Sequence, residues 1–496
     1  MSLKQLFAVQ PLDRVRPDEE GPKLRRVLGW PGLIAIGLGT MLGGVFTTIG
    51  VGAQVAGPGV ILGFLASGVV CIFVALCYAE FASMVPVAGS AYTYAYATLG
   101  ELVAWVIGWD LILEYGISAA PVASSWSGYV QILLQSIHVT LPAWAQTAKL
   151  DIVTAPVHLG PWHFTALHAV NLASSQVDIV AALGVLGLSA LLAIGIRESA
   201  GTNAAFVILQ IIAFVVFIFG SFAAVSAKNL HPIAPTGFHG ILASAALVFF
   251  AYIGFDTVTV AAEESKNPRR DVPIGIIGSL IIGGILYMLV AYITVGIVPW
   301  QKIDSNAAMS QAAMMAHNSR IYVNFVTVGA IAGNISVMLT SLLGQTRIFY
   351  VMARDRLLPD SVAKVHPVFR TPARMTMITG VIVAIMAALI PLQKLLELVN
   401  IGTLSAFGIV CLGVLILRVI HPNANRPFRA PAGPLVAILG LVGCLYLIAS
   451  LPVPTLIRFV VWFAVGVIIY GFYGYRHSRL RREVLAPSPA PGESHS

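Results

Sequence analysis

Two stretches of this 496-residue chain place glycines and an acid in the middle of otherwise apolar runs. In GLGTMLGGVFTTIG these are Gly37, Gly39, Gly43 and Gly44; in FFAYIGFD they are Gly254 and Asp256. A glycine costs a helix interior roughly 1 kcal/mol against alanine, and an acid at mid-membrane costs roughly 2.5–3.5 kcal/mol. Small-residue helix packing accounts for one isolated motif of this kind, and a cap accounts for one acid. Two such motifs in one chain suggest another use. A helix broken inside the membrane frees amides at one end and carbonyls at the other. Amide ends attract a carboxylate and carbonyl ends attract an ammonium.

The elements that carry these motifs follow from composition. Of the residues, 58% are hydrophobic and 10% charged, against about 25% charged in soluble domains. So few charges leave most of the surface facing lipid. Apolar runs of spanning length fall at roughly 31–54, 59–85, 100–122, 177–196, 203–225, 240–262, 274–298, 321–350, 375–391, 396–418, 432–450 and 455–474. Open sheet edges are excluded from hydrocarbon, so the expected fold is an all-α polytopic membrane protein of twelve transmembrane helices. With twelve spans both termini share a side, and that side collects 23 of the 29 Lys and Arg residues. This marks it as cytoplasmic and explains the net charge of +8 without invoking nucleic acid. The expected location is the cell (inner) membrane.

The first thirty residues are polar and hold Pro and Arg, unlike a secretory signal peptide. The tail EVLAPSPAPGESHS is low-complexity and reads as disordered. The segment 124–175 holds Trp126, Trp144 and Trp162 and only two charges, Lys149 and Asp151, so it is expected to form an interfacial flap. The four cysteines (Cys71, Cys77, Cys411 and Cys444) lie in apolar runs without metal or disulfide spacing.

The interrupted spans are the first and the sixth, five apart, as two inverted five-helix repeats require. The division is then 1–30, a first repeat at 31–225, a second at 226–418, two further spans at 419–478 and a tail at 479–496. The first span runs outward, so carbonyls come free near Met41 and amides near Gly43, Gly44 and Val45. The sixth runs inward, freeing carbonyls from Phe250 through Ala251 to Ile253, while Asp256 can cap its inner half. A site with both ends is complementary to a zwitterion, which an amino acid is.

The same residues resemble a known family. LCYAEFASMVPVAGSAYTYAYATLGE at 76–101, GWDLILEYG at 108–116, FFAYIGFDTV at 249–258, AAEESKNPRRDVPIGII at 261–277, GQTRIFYVMARDRLLP at 344–359 and NIGTL at 400–404 resemble the cationic amino acid transporters of the amino acid–polyamine–organocation superfamily, in their bacterial twelve-span form. The resemblance covers roughly 25–478. It implies a five-plus-five inverted repeat with discontinuous first and sixth helices, and transport of L-amino acids, cationic or small neutral. It also implies a substrate carboxylate on the Gly43 and Gly44 amides, an ammonium on the carbonyls of Met41, Phe250 and Ile253, and the Phe250 ring as a lid. Two departures stand out. GGVF is one residue shorter than the GTGIF-like motif of the family, and Gln210 occupies the position of a fifth-span lysine in proton-coupled members. Glutamine cannot titrate, so the usual coupling group is missing.

Other residues bear on coupling and specificity. Asp110 and Glu114, at i and i+4 beside Trp105 and Trp109, are either assembly carboxylates or a pair in which Glu114 faces substrate, holding a cation or a proton. Gln210 reads as interhelical glue or a relay, and Asp256 ranks after Glu114 as a candidate proton carrier, since its capping role needs it ionised. Ser341 in MLTSLLGQ is either a packing residue or leaves room for a long side chain. In EESKNPRRDVP, Asp271 is expected to cap the seventh span, with a Glu263–Arg269 gate as the alternative. No nucleotide-binding loop, metal cluster or nucleophile–base pair occurs, so an enzyme, a cofactor and a metal are not expected. The expected partners are an L-amino acid, the bilayer and protons, with a small accessory membrane subunit or a second copy as further candidates. A channel or receptor would need rings of pore charge or a soluble domain. A polyamine carrier would leave the Gly43 and Gly44 amides without a partner, and an exchanger or facilitator would need no coupling group.

Overall fold

A computed structural model describes residues 28–478, except 85–90, 160–161, 196–199, 261–263, 318, 363, 370, 421 and 424–425. The basic N-terminal segment, the tail and Glu263 therefore lie outside the described residues. The chain is an all-α polytopic membrane protein, with one β-hairpin among the described residues. Eight helical stretches among the described residues are long and apolar enough to cross a membrane. Four shorter apolar helices, Trp30–Met41, Ile179–Ile194, Ala373–Leu389 and Pro434–Ala449, lie among them.

α1 (Trp30–Met41) starts with Pro31 in its first turn, where a missing amide costs nothing. α2 (Gly43–Ala56) follows after Leu42 alone. Leu42 keeps right-handed helical angles, and its amide donates to the Leu38 carbonyl. The first interruption is thus a one-residue irregularity, milder than the open break expected from its glycines. α3 (Val60–Met84) and α4 (Ala91–Thr98) come next.

The third run is longer than its apolar pattern suggested. α5 (Glu101–Leu111) passes through a π-helical turn, Ile112–Ile117, into α6 (Ser118–Ser136), so the run ends at Ser136 and not near 122. Pro121 lies inside α6, but the carbonyl its ring would crowd is that of Ile117, in the widened turn. That is how the helix survives its proline.

The segment expected as a flap instead pairs β1 (Lys149–Leu159) with β2 (Trp162–Gln176) as an antiparallel hairpin. Its base is held by Gln131, whose amide donates to the Gln146 carbonyl at 2.6 Å. α7 (Ile179–Ile194) is capped by Asp178, which accepts from the Ala181 amide at 2.9 Å and the Ser127 hydroxyl at 2.6 Å.

α8 (Ala200–Ser221) turns Ile208, Ile211, Ile212, Val215 and Phe219 outward and buries Gln210, Ala213, Phe214 and Phe217. Apolar outside and polar inside is what lipid demands of a helix. α9 (Gly237–Val248) gives way to a 3₁₀ turn, Phe249–Tyr252, an extended Ile253, and Gly254 at φ +114°. The chain becomes α-helical again in α10 (Thr257–Val260). The sixth-span break is therefore a true unwinding, and Gly254 occupies a conformation that L side chains rarely adopt.

α11 (Pro268–Ile297) corrects one expectation. Asn267 stands at its N-cap, Pro268 is its first residue, and Asp271 is a buried member of the first turn. α12 (Ala308–Ala316), α13 (Arg320–Arg354), α14 (Ala373–Leu389), α15 (Leu392–Ile420), α16 (Pro434–Ala449) and α17 (Val453–Ile469) follow, the last running on through a π turn, Tyr470–Gly474, into a short helical end, Tyr475–His477. Trp105 and Trp109 dock the last of these. Their ring N–H groups donate to the carbonyls of Gly466 and Trp462 at 3.0 and 2.9 Å, and the Trp109 and Trp462 rings stack at 4.4 Å. A β-carbon on Gly466 would fall 2.4 Å from the Trp109 ring. All four cysteines are buried and unbridged.

Candidate functional site

A cavity of about 70 Å³ sits where four helical runs meet. Thr40 and Gly44 line it from α1 and α2; Glu114, Tyr115 and Ser118 from the π turn and α6. The unwound sixth run gives Phe250, Ile253, Gly254 and Thr257, and α13 gives Val337, Thr340 and Ser341. Both interrupted runs therefore reach one cavity.

Gly44 is what lets them meet. A β-carbon there would lie 2.7 Å from the Ala251 Cα and 3.3 Å from the Phe250 carbonyl oxygen, so only a hydrogen fits between the two backbones. A second tie crosses the same gap, where the Thr40 hydroxyl donates to the Gly254 carbonyl at 2.9 Å. The Thr257 hydroxyl donates to that carbonyl at 2.6 Å.

Of the other residues singled out from sequence, Phe250, Ile253, Gly254, Glu114 and Ser341 join Gly44 in the lining. Met41, Gly43, Val45 and Ala251 are buried outside it. Met41 packs toward Gly283 of α11, and Gly43 faces Val337 and the Gly333 carbonyl of α13. The Ala251 carbonyl accepts the Tyr287 hydroxyl at 2.8 Å.

Glu114 is 1% exposed, and neither carboxyl oxygen has a hydrogen-bond partner among the described residues. The neighbouring Thr403 hydroxyl is directed to the Val399 carbonyl at 3.2 Å. Asp110 is also buried without a partner, but it lies outside the cavity lining, one turn back. Asp256 accepts the Tyr115 hydroxyl at 3.2 Å and sits among the amides of Gly254, Asp256 and Thr257. Glu114 lies within electrostatic reach of both aspartates. Gln210 is buried behind α2 against Gly333, away from the cavity, and its amide group has no partner among the described residues.

Sequence reasoning missed Thr40, Tyr115, Ser118, Thr257, Val337 and Thr340 as wall residues. Val337 precedes Ser341 by one helical turn, so i and i+4 spacing would have found it. Nothing local announces the π turn that brings Tyr115 beside Glu114.

Residues 28–475 match the family described as amino acid permease. The chain belongs to the amino acid permease family. It is a membrane transporter of the amino acid–polyamine–organocation superfamily and not an enzyme. The permease is 40% identical over 460 residues to the branched-chain amino acid permease BcaP of Bacillus subtilis, covering 92% of this chain and 95% of that one. It is 38% identical to the methylthioribose transporter of the same organism, over 97% and 100% of the two chains. It is 35% identical to mouse cationic amino acid transporter 4, over 86% of this permease and 65% of that protein.

Proposed function

We propose that this permease carries L-amino acids across the cell membrane by alternating access, with spans 1–5 and 6–10 forming inverted repeats and both termini cytoplasmic. The substrate backbone lies against Gly44 and the unwound 250–254 segment, and its side chain extends between Glu114, Ser118 and Ser341. Gly43, Val45, Met41 and Ala251 shape this pocket from behind, through backbone spacing. Cationic and neutral amino acids are both accepted.

The observation that carries this reading is the buried, unpartnered carboxyl of Glu114 on the cavity wall. A buried carboxylate without a partner is too costly to persist. It requires a cation, and two are available: the charged end of an Arg- or Lys-like substrate, or a proton. With a neutral substrate the proton remains, which couples transport to protons without the fifth-span lysine that Gln210 replaces. Asp256 stays with its cap and the Tyr115 hydroxyl, and Asp110 tunes Glu114 from one turn away.

Uptake of radiolabelled arginine and leucine into proteoliposomes, with competition by their decarboxylated amines, tests this. The amines are expected to compete far more weakly than the parent amino acids. Equal competition would favour a polyamine carrier. The methylthioribose relative gives a second reading, a neutral sugar thioether, and the hydroxyls of Thr40, Ser118, Thr257, Thr340 and Ser341 along the walls suit it. Methylthioribose in the same competition decides between the two.

A further inference from the structure

α11 begins with two arginines, Arg269 and Arg270, both exposed. Neither pairs with an acid among the described residues. Asp271, next in sequence, is buried, so it does not lie beside them on the exposed face. Two cations in the first turn of a 30-residue helix also oppose its dipole, whose N-terminal end is positive. Buried Asp271 complements that dipole, but among the described residues neither arginine has an anionic partner on the exposed face.

Below the arginines lies a groove of about 520 Å³ between α11 and the segment that precedes α16. Ile274 and Ile277 form one wall and Pro427 and Phe428 the other. The opposite wall is fixed in place, because the Phe428 amide accepts no freedom: it donates to the Ser83 hydroxyl of α3 at 3.2 Å. Glu80 holds the same segment, accepting the Ala430 amide at 2.9 Å and pairing with Arg418 and Arg426. From the groove an exposed apolar stripe continues along α11 through Ile281, Ile285 and Leu289. A charged head and an apolar body thus follow one another along one helix.

The geometry points to a binding site for an anionic phospholipid, its phosphate between Arg269 and Arg270 and an acyl chain in the groove and along the stripe of α11. Guanidinium–phosphate bonds are charge-assisted, and the phosphate also meets the favourable end of the α11 dipole. Basic pockets between helices at the membrane surface recognise such headgroups. A zwitterionic lipid offers the same chains but cancels its phosphate charge, so it does not satisfy the two arginines.

Native mass spectrometry of the purified full-length permease, with added phosphatidylglycerol or phosphatidylcholine of identical chains, tests the site. The wild type is expected to retain phosphatidylglycerol in preference. Each basic residue near an anionic surface is worth roughly a factor of five, so Arg269→Gln with Arg270→Gln should cut that preference by about tenfold or more. Lys266→Gln, which removes an exposed cation that does not line the groove, should cost clearly less of the preference than the arginine changes. If the double variant aggregates, Arg270→Gln alone gives the same readout with a smaller loss. Unchanged retention in the arginine variants, or an equal loss in Lys266→Gln, overturns the proposal. So does competition by glycerol phosphate as strong as by the lipid, which would mark a site for a soluble anion.

Discussion

The Tyr115 hydroxyl donates to Asp256 at 3.2 Å, joining the π turn of the third run to the unwound sixth. Glu114, on the neighbouring residue, faces the cavity these two runs share. One widened turn therefore both aims the candidate coupling acid and braces the broken helix. Tyr115→Phe removes the brace and keeps the ring. A single hydrogen bond to a charged group contributes roughly 1.5–3 kcal/mol, so uptake should fall by about tenfold or more at unchanged expression. Wild-type uptake by this variant would show that the brace is idle.

Gly44→Leu tests the meeting point of the two broken runs. The Cα of Ala251 leaves no room for a β-carbon, and backbone cannot move aside as a flexible side chain can. Uptake should be abolished while membrane insertion, read by protease accessibility of the loops, is retained. Normal uptake would exclude the pose with the substrate backbone against Gly44.

Ser341→Met lengthens a wall residue of the cavity. If side chains extend toward it, arginine binding should fall several-fold more than alanine binding, since only the longer substrate meets the added atoms. Scintillation proximity binding with both substrates measures this. Equal losses would place the side chain elsewhere.

Trp109→Ala removes the ring that stacks on Trp462 and fills the space against Gly466. Large-to-small core changes of this kind cost about 3–5 kcal/mol. The variant should melt markedly earlier in detergent, while the substrate Kd of the folded fraction stays near wild type. An unchanged melting point would mean that α17 is held by other contacts.

The broken sixth run was legible because Asp256, an acid inside an apolar run and two residues from a glycine, is costly in an intact membrane helix. The first run carried the glycine part of that signal and misled in degree. Its glycines serve close approach, with Gly43 against Val337 and Gly44 against Ala251, and helical geometry is kept through Leu42. Contact with a distant backbone leaves no local mark that separates it from a break. The same limit applies to Trp105 and Trp109, whose partners lie more than 350 residues away. The hairpin at 149–176 was missed because a segment with few charges and several tryptophans also suits an interface. Glu114 and Ser341 were found through residue chemistry, an acid and a small polar group inside apolar helices. Of their neighbours, Val337 is reachable only by its i, i+4 spacing from Ser341, and Thr340 has ordinary membrane chemistry that nothing local marks.

The central claim is that Glu114 carries the proton in place of a fifth-span lysine. Leucine uptake into proteoliposomes under an inward proton gradient, wild type beside Glu114→Gln, tests it most directly. The account expects acceleration by the gradient in wild type and none in the variant, with counterflow exchange surviving in the variant. No acceleration in wild type would contradict proton coupling altogether, and acceleration that persists in Glu114→Gln would show that the proton travels by another group.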